Sequence, residues 1–257
     1  REIEMFNLVA SRANAAQAHA QYVASFPGLE IVQMSTKTSG STIVVKNRTL
    51  SPRTSPVVCV HGTGSSSAVF LELLQELQRL EIPAYAIDLP TFGISDSFVS
   101  YPGTTTTDLL NAFAATIFEV LGTLKLENVS IVAHSIGSTI AHALVRREPQ
   151  RFRKVILLSP PGMTSIRWGF WGYFMRWGFP ERFLTRWIVR FLLAPLAFPL
   201  RSFGPASAQF WYYFWLNPAR PTSHLLLSSC MKWNQSRQRY DFAYDYLPQL
   251  RNVCLMN

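Results

Sequence analysis

The sequence predicts an α/β protein with a doubly wound, mostly parallel sheet and a helical insertion. Three observations predict it. Between residues 56 and 158, compact apolar runs alternate with stretches of helical periodicity. The alternation breaks at residue 163, where Trp, Phe and Arg crowd a helical pattern. It resumes over residues 252–256, an apolar run of strand type.

The elements follow in order. Residues 2–25 read as a helix. Two alternating runs, residues 29–34 and 42–45, flank Ser39-Gly40 and predict a hairpin. Pro56-Val57-Val58-Cys59-Val60 is a short apolar run that suits a strand buried on both faces. Residues 68–80 carry helical periodicity, and residues 84–87 form the next strand. Residues 107–121 are helical, with Asp108 placed where a helix start favours negative charge. Residues 129–133 predict a strand, 136–147 a helix and 155–158 a sixth strand. The chain therefore divides into an N-terminal helical segment (1–28), a core (29–162), a helical aromatic and basic lid (163–240) and the start of a returning core strand (241–257). It opens on Arg1 and stops inside a strand-like run, so the expectation is a C-terminally truncated core.

Composition narrows the function classes. The 257 residues are 48% hydrophobic with a net charge of +9. That balance admits nucleic acid, a membrane surface, an anionic substrate, or a soluble enzyme that is simply basic. No nucleic-acid-binding motif accompanies it, so no nucleic-acid partner is expected. The three cysteines (Cys59, Cys230, Cys254) form no disulfide framework; Cys59 and Cys254 lie in strand-like runs, as buried free thiols of a reducing, intracellular compartment would. No metal-ligand spacing such as CxxC or HExxH occurs, and neither metal nor cofactor is expected. Residues 1–25 lack a signal-peptide pattern. The longest near-apolar run, residues 187–200, is broken by Arg190, Pro195 and Pro199 and is too short to span a bilayer.

The chemistry-bearing motif lies at the end of the fifth strand. Val129-Ser130-Ile131-Val132 runs into Ala133-His134-Ser135-Ile136-Gly137, and a helix follows. This is a G-x-S-x-G elbow with Ala in the first Gly position. The turn is tight enough to require small residues on both sides of the serine. It lifts the Ser135 hydroxyl above the sheet at a helix N-terminus, where backbone N–H groups stabilise a developing oxyanion. Upstream, His61-Gly62-Thr63-Gly64 follows the third strand. The N–H groups of Thr63 and Ile136 are the expected oxyanion donors.

These residues resemble the serine hydrolases of the α/β-hydrolase superfamily from about residue 30 onward. The resemblance rests on His61-Gly62-Thr63-Gly64, Asp88-Leu89-Pro90-Thr91-Phe92-Gly93-Ile94-Ser95, Ala133-His134-Ser135-Ile136-Gly137 and Leu157-Leu158-Ser159-Pro160. The second stretch is similar to the family's D-x-x-G-x-G-x-S turn, with Thr91 in place of a Gly. Asp88 and Ser95 are expected to be structural there. The resemblance implies a Ser nucleophile, followed in chain order by an acid and a His. That acid is expected just after the returning strand, so both partners would lie beyond Asn257. Of the histidines present, His134 should point away from the hydroxyl, His142 lies two helical turns on, and His61 more often holds the loop together. His224 precedes the expected acid, and His19 is in the first helix. Glu119 and Glu127 read as a solvated face.

The lid is most legible over residues 181–193. Arg182, Arg186 and Arg190 recur every four residues and line one helical face. Phe183, Leu184, Trp187, Ile188, Phe191 and Leu192 line the other. Two readings stay open: a lid helix covering the site with Phe183, Trp187 and Phe191, or an interfacial helix whose arginines make peripheral contact with an anionic membrane. Residues 197–205 and 212–217 look like the lid of the lysophospholipid and cardiolipin acylhydrolase branch, which implies a phospholipid or acylglycerol substrate. The leading expectation is an esterase or lipase acting on a small acyl ester or a lipid. The alternatives are a peptidase or carbon–carbon bond hydrolase of the same superfamily, and a non-catalytic lipid-binding scaffold.

Overall fold

The computed structural model describes residues 12–49, 54–100, 102–103, 105–161, 231–234 and 239–242. Strands β1 (Leu29–Thr36), β2 (Gly40–Asn47), β3 (Val57–Val60), β4 (Ala84–Ile87), β5 (Val129–His134) and β6 (Phe152–Leu158) form one sheet in the order β1-β2-β4-β3-β5-β6. The β1–β2 and β2–β4 pairs are antiparallel; β4, β3, β5 and β6 run parallel. Helices α1 (Arg12–Ala24), α2 (Leu71–Arg79), α3 (Thr106–Thr123) and α4 (Ile136–Arg147) connect and cover it.

Side chains alternate across the pleat and separate two cores. Val44, Val58, Ile87, Ile131 and Ala133 face α3 and α4. Val45, Cys59, Ala86 and Val132 share the opposite cluster with Val23 of α1 and Leu71 and Leu74 of α2. Both faces are thus apolar, which is why β3 and β5 read as continuous hydrophobic runs. Polar side chains fix the connections. Asn47 is buried; its Nδ2 donates to the carbonyls of Leu74 (3.1 Å) and Ile82 (2.9 Å), and its Oδ1 accepts from Ala84 N (2.9 Å). Thr105 and Asp108 close a capping box at the start of α3.

The first helix, expected from residue 2, is described over Arg12–Ala24, and the residues before it lie outside the described ones. Three other features differ from the sequence expectation. The 68–80 helix divides into a 3-10 turn, Ser67–Phe70, and α2. Strand β6 starts at Phe152 rather than 155, because the exposed Arg153 and Lys154 interrupt its apolar pattern. Residues 231–234 and 239–242, which straddle the end of the stretch read as helical (163–240), form an antiparallel pair, β7 (Met231–Asn234) with β8 (Arg239–Phe242). Its register pairs Met231 with Phe242 and Trp233 with Tyr240, alternation too short to show a period in sequence. Residues 162–230, 235–238 and 243–257, which hold most of the expected lid and of the expected returning strand, lie outside the described residues. Among the described residues no helix is long and apolar enough to cross a membrane.

Candidate active site

β5 ends at His134 and α4 begins at Ile136, so Ser135 alone makes the turn between them. Its backbone sits at φ 52°, ψ −124°, a conformation that L-residues rarely adopt. Three hydrogen bonds hold it: Ser135 N donates to Leu158 O (2.9 Å), Ser138 N to Ser135 O (2.9 Å) and Ser138 Oγ to Ala133 O (2.9 Å). Strain of this kind persists only where the surroundings over-determine it. Gly137 is required by space: a Cβ there would fall 2.4 Å from Val60 O and 2.7 Å from His61 O. Ala133 fits the first small position because its methyl is fully buried in the α3–α4 core. Ser135 itself is half-buried.

The 61–64 loop lies directly against this turn. A Cβ on Gly62 would stand 2.9 Å from Ser135 Cβ and 3.1 Å from His134 Nδ1. Among the described residues, neither Thr63 N–H nor Ile136 N–H has a hydrogen-bond acceptor. Ile136 N–H is one of the donors that any helix start leaves uncommitted. His61 anchors the loop. Its Nε2 accepts from Leu89 N (3.0 Å), since a backbone N–H can only donate. The ring proton therefore sits on Nδ1 and is shared with Gly62 O (2.8 Å). Phe92 meets the ring edge-to-face at 5.7 Å.

Asp88 braces the loop from its far side. The carboxylate is buried; Oδ1 accepts from Ser67 N (2.6 Å) and Oδ2 from Ile94 N (2.9 Å). Ser95 Oγ donates to Asp88 O (2.7 Å) and accepts from Ile43 N (2.8 Å). Gly93, at φ +52°, is where any Cβ would meet Asp88 Oδ2 at 2.0 Å. Asp88 and Ser95 are structural, as the sequence suggested, but the bond to Ser67 also ties the 88–95 turn to the segment after the 61–64 loop. Thr91, the departure from glycine in that turn, has φ +71° and a buried Oγ1 without a partner among the described residues.

The remaining candidates separate clearly. Among the described residues no histidine or carboxylate hydrogen-bonds to Ser135 Oγ. His142 is buried in α4; burial, and then the neighbouring Arg146, push its pKa down. His19 is buried on α1, and His134 is exposed. Burial pushes the Cys59 thiol up to about 12, so it stays protonated and free. Glu119 is not a solvated residue. Its carboxylate accepts from Lys37 N and Thr38 Oγ1 and clips the β1–β2 turn to α3. That long-range contact left no signal in local sequence. Glu127 pairs with Arg151 at 3.1 Å. Phe183, Trp187, Phe191, Arg182, Arg186, Arg190 and His224 lie outside the described residues.

Three comparisons with known proteins bear on this geometry. A family model described as the alpha/beta hydrolase fold matches residues 55–241. A Bacillus subtilis protein named as an uncharacterized hydrolase, YugF, is 31% identical over 111 residues, covering 43% of this chain and 38% of that protein. A rat protein named 1-acylglycerol-3-phosphate O-acyltransferase ABHD5 is 29% identical over 129 residues, covering 49% of this chain and 31% of that protein. The chain thus spans well under half the length of these curated relatives. Among solved structures, the B. subtilis carboxylesterase CesB is similar with a TM-score of 0.56 at 17% identity, over 81% of this chain and 70% of that one. At that identity the likeness concerns the fold.

Proposed function

The chain belongs to the α/β hydrolase fold family, and on that premise we propose that it hydrolyses carboxylic esters of lipids or long-chain acyl groups, with Ser135 as the nucleophile. The observation that carries this reading is the strained Ser135 turn, backed by Gly62 and flanked by two uncommitted N–H groups. In the proposed reaction Ser135 Oγ attacks the acyl carbonyl carbon. Its proton passes to a His general base, which the superfamily resemblance implies, and then to the departing alcohol. Thr63 N–H and Ile136 N–H hold the carbonyl oxygen as its charge develops, and they need no rearrangement to do so. Water then cleaves the acyl-enzyme by the reverse proton path.

The acyl-lipid part rests on two supports. One is the aromatic and basic lid sequence, in which Phe183, Trp187 and Phe191 would hold an acyl chain and Arg182, Arg186 and Arg190 would meet anionic headgroups at a membrane surface. The other is the rat relative, whose name describes acyl transfer to an acylglycerol phosphate. Neither metal nor cofactor is needed for these steps. The free, buried Cys59 suits an intracellular, reducing compartment.

The test assays the full-length protein on p-nitrophenyl esters of short and long chains. Hydrolysis should favour the long chains and fall at least ~1,000-fold in Ser135→Ala. A preference for short soluble esters removes the lipid assignment, and an active Ser135→Ala removes the nucleophile.

A further inference from the structure

The opposite end of the sheet from Ser135 carries a basic surface that the proposed chemistry does not use. It is built where α4 ends and β6 begins. Arg146, Arg147, Arg153 and Lys154 are all exposed there, and Lys125 stands exposed on the turn before β5. Several contacts hold these residues in one place. The guanidiniums of Arg147 and Arg151 lie 5.3 Å and 5.8 Å from the same Phe118 ring. Arg153 Nη1 and Asn128 Nδ2 both donate to Ser55 Oγ, at 3.3 Å and 3.2 Å. A bulge in the β5–β6 register leaves Arg153 unpaired between Phe152 and Lys154, and bulges re-aim the side chains they carry.

The carboxylates nearby do not neutralise this surface. Glu127 and Glu148 both pair with Arg151, at 3.1 Å and 3.4 Å. Arg146, Arg147, Arg153 and Lys154 have no carboxylate partner among the described residues. The rest of the sequence has little to offer them: of the chain's fifteen acidic residues, only Glu2, Glu4, Glu181 and Asp245 fall outside the described segments.

We propose that this surface docks an acidic segment of a partner protein. Arginine predominates over lysine in it, and the planar guanidinium fork matches a carboxylate with two parallel hydrogen bonds. Its position favours a protein over a bilayer. β5 has six residues, roughly 20 Å of strand, between this end and Ser135. A membrane seated here would hold the proposed site away from its lipid substrate, whereas a bound acidic segment leaves that end of the sheet open.

The test measures fluorescence anisotropy of a labelled poly-glutamate peptide with the full chain, at low salt, where unscreened charges act over longer distances. The peptide should bind. Arg146→Gln/Arg147→Gln/Arg153→Gln/Lys154→Gln should weaken binding by about tenfold or more. Arg182→Gln/Arg186→Gln/Arg190→Gln, which removes three cations elsewhere in the sequence, should change it less than about twofold. Should the fourfold variant fail to fold, Arg153→Gln/Lys154→Gln alone should still weaken binding several-fold. Absence of peptide binding, equal binding by parent and patch variants, or a larger loss in the Arg182/Arg186/Arg190 variant would overturn the proposal. So would a greater loss of binding to phosphatidylcholine–phosphatidylserine vesicles (7:3, about 30% anionic) or to duplex DNA than to the peptide.

Discussion

The two ends of β5 use the same backbone devices for opposite purposes. At the amino end, Glu81, Lys125 and Asn128 take positive φ in exposed turns, and Glu127 pairs with Arg151 in partial contact with water. At the carboxyl end, Thr91, Gly64 and Gly93 take positive φ while buried, Ser135 does so half-buried and Ser159, after β6, exposed, and the carboxylate of Asp88 is wholly enclosed. Turns in water cost little because solvent completes their hydrogen bonds. Buried turns must satisfy each group internally, so they persist only where something over-determines them. The difference marks the carboxyl end as the place where the fold stores strain, and there the candidate nucleophile sits.

The contrast can be broken most directly with glycines. Gly137→Ala should lower stability by about 3 kcal/mol, because its Cβ meets fixed backbone carbonyls at 2.4 and 2.7 Å. Gly122→Ala, on α3 with nothing within 4 Å of the new Cβ, should raise stability by up to ~1 kcal/mol. Thermal or urea unfolding measures both, and equal effects would dissolve the distinction. A smaller effect separates the carboxylates. Asp88→Asn places an amide where two backbone N–H groups need acceptors and should cost about 2 kcal/mol. Glu127→Gln, on an exposed ion pair, should change stability by less than ~0.5 kcal/mol. The last pair should differ least. Thr91→Gly relieves a β-branched residue at φ +71° and removes an unpartnered hydroxyl, so stability should rise by about 1 kcal/mol. Asn128→Gly, at φ +51° in an exposed turn that Asn tolerates well, should shift it by only a few tenths. A destabilised Thr91→Gly would mean that the threonine side chain has a role the turn geometry does not reveal.

The sheet and its elbow were legible in sequence because burial on both faces leaves compact apolar runs such as Val57–Val60, and because the elbow needs Gly137 at a fixed offset from Ser135. Thr91 stands in sequence where the family turn carries a glycine, and its φ of +71° is the left-handed conformation that glycine favours. Other features were hidden for physical reasons. Asp88 reaches Ser67, and Glu119 reaches Lys37 and Thr38, through tertiary contacts that leave no local periodicity. β6 opens on Phe152 followed by the exposed charges Arg153 and Lys154, so its first three residues look like a loop. β7 and β8 are four residues each, too short for alternation to stand out among helix-like neighbours.

The central claim is that the strained turn presents Ser135 as the reactive group. Mass-spectrometric peptide mapping of the full-length protein after treatment with a fluorophosphonate tests it most directly. The account predicts one phosphonyl adduct, on the peptide containing Ser135, and its loss in Ser135→Ala. An adduct on another residue, or equal labelling of Ser135→Ala, would contradict it.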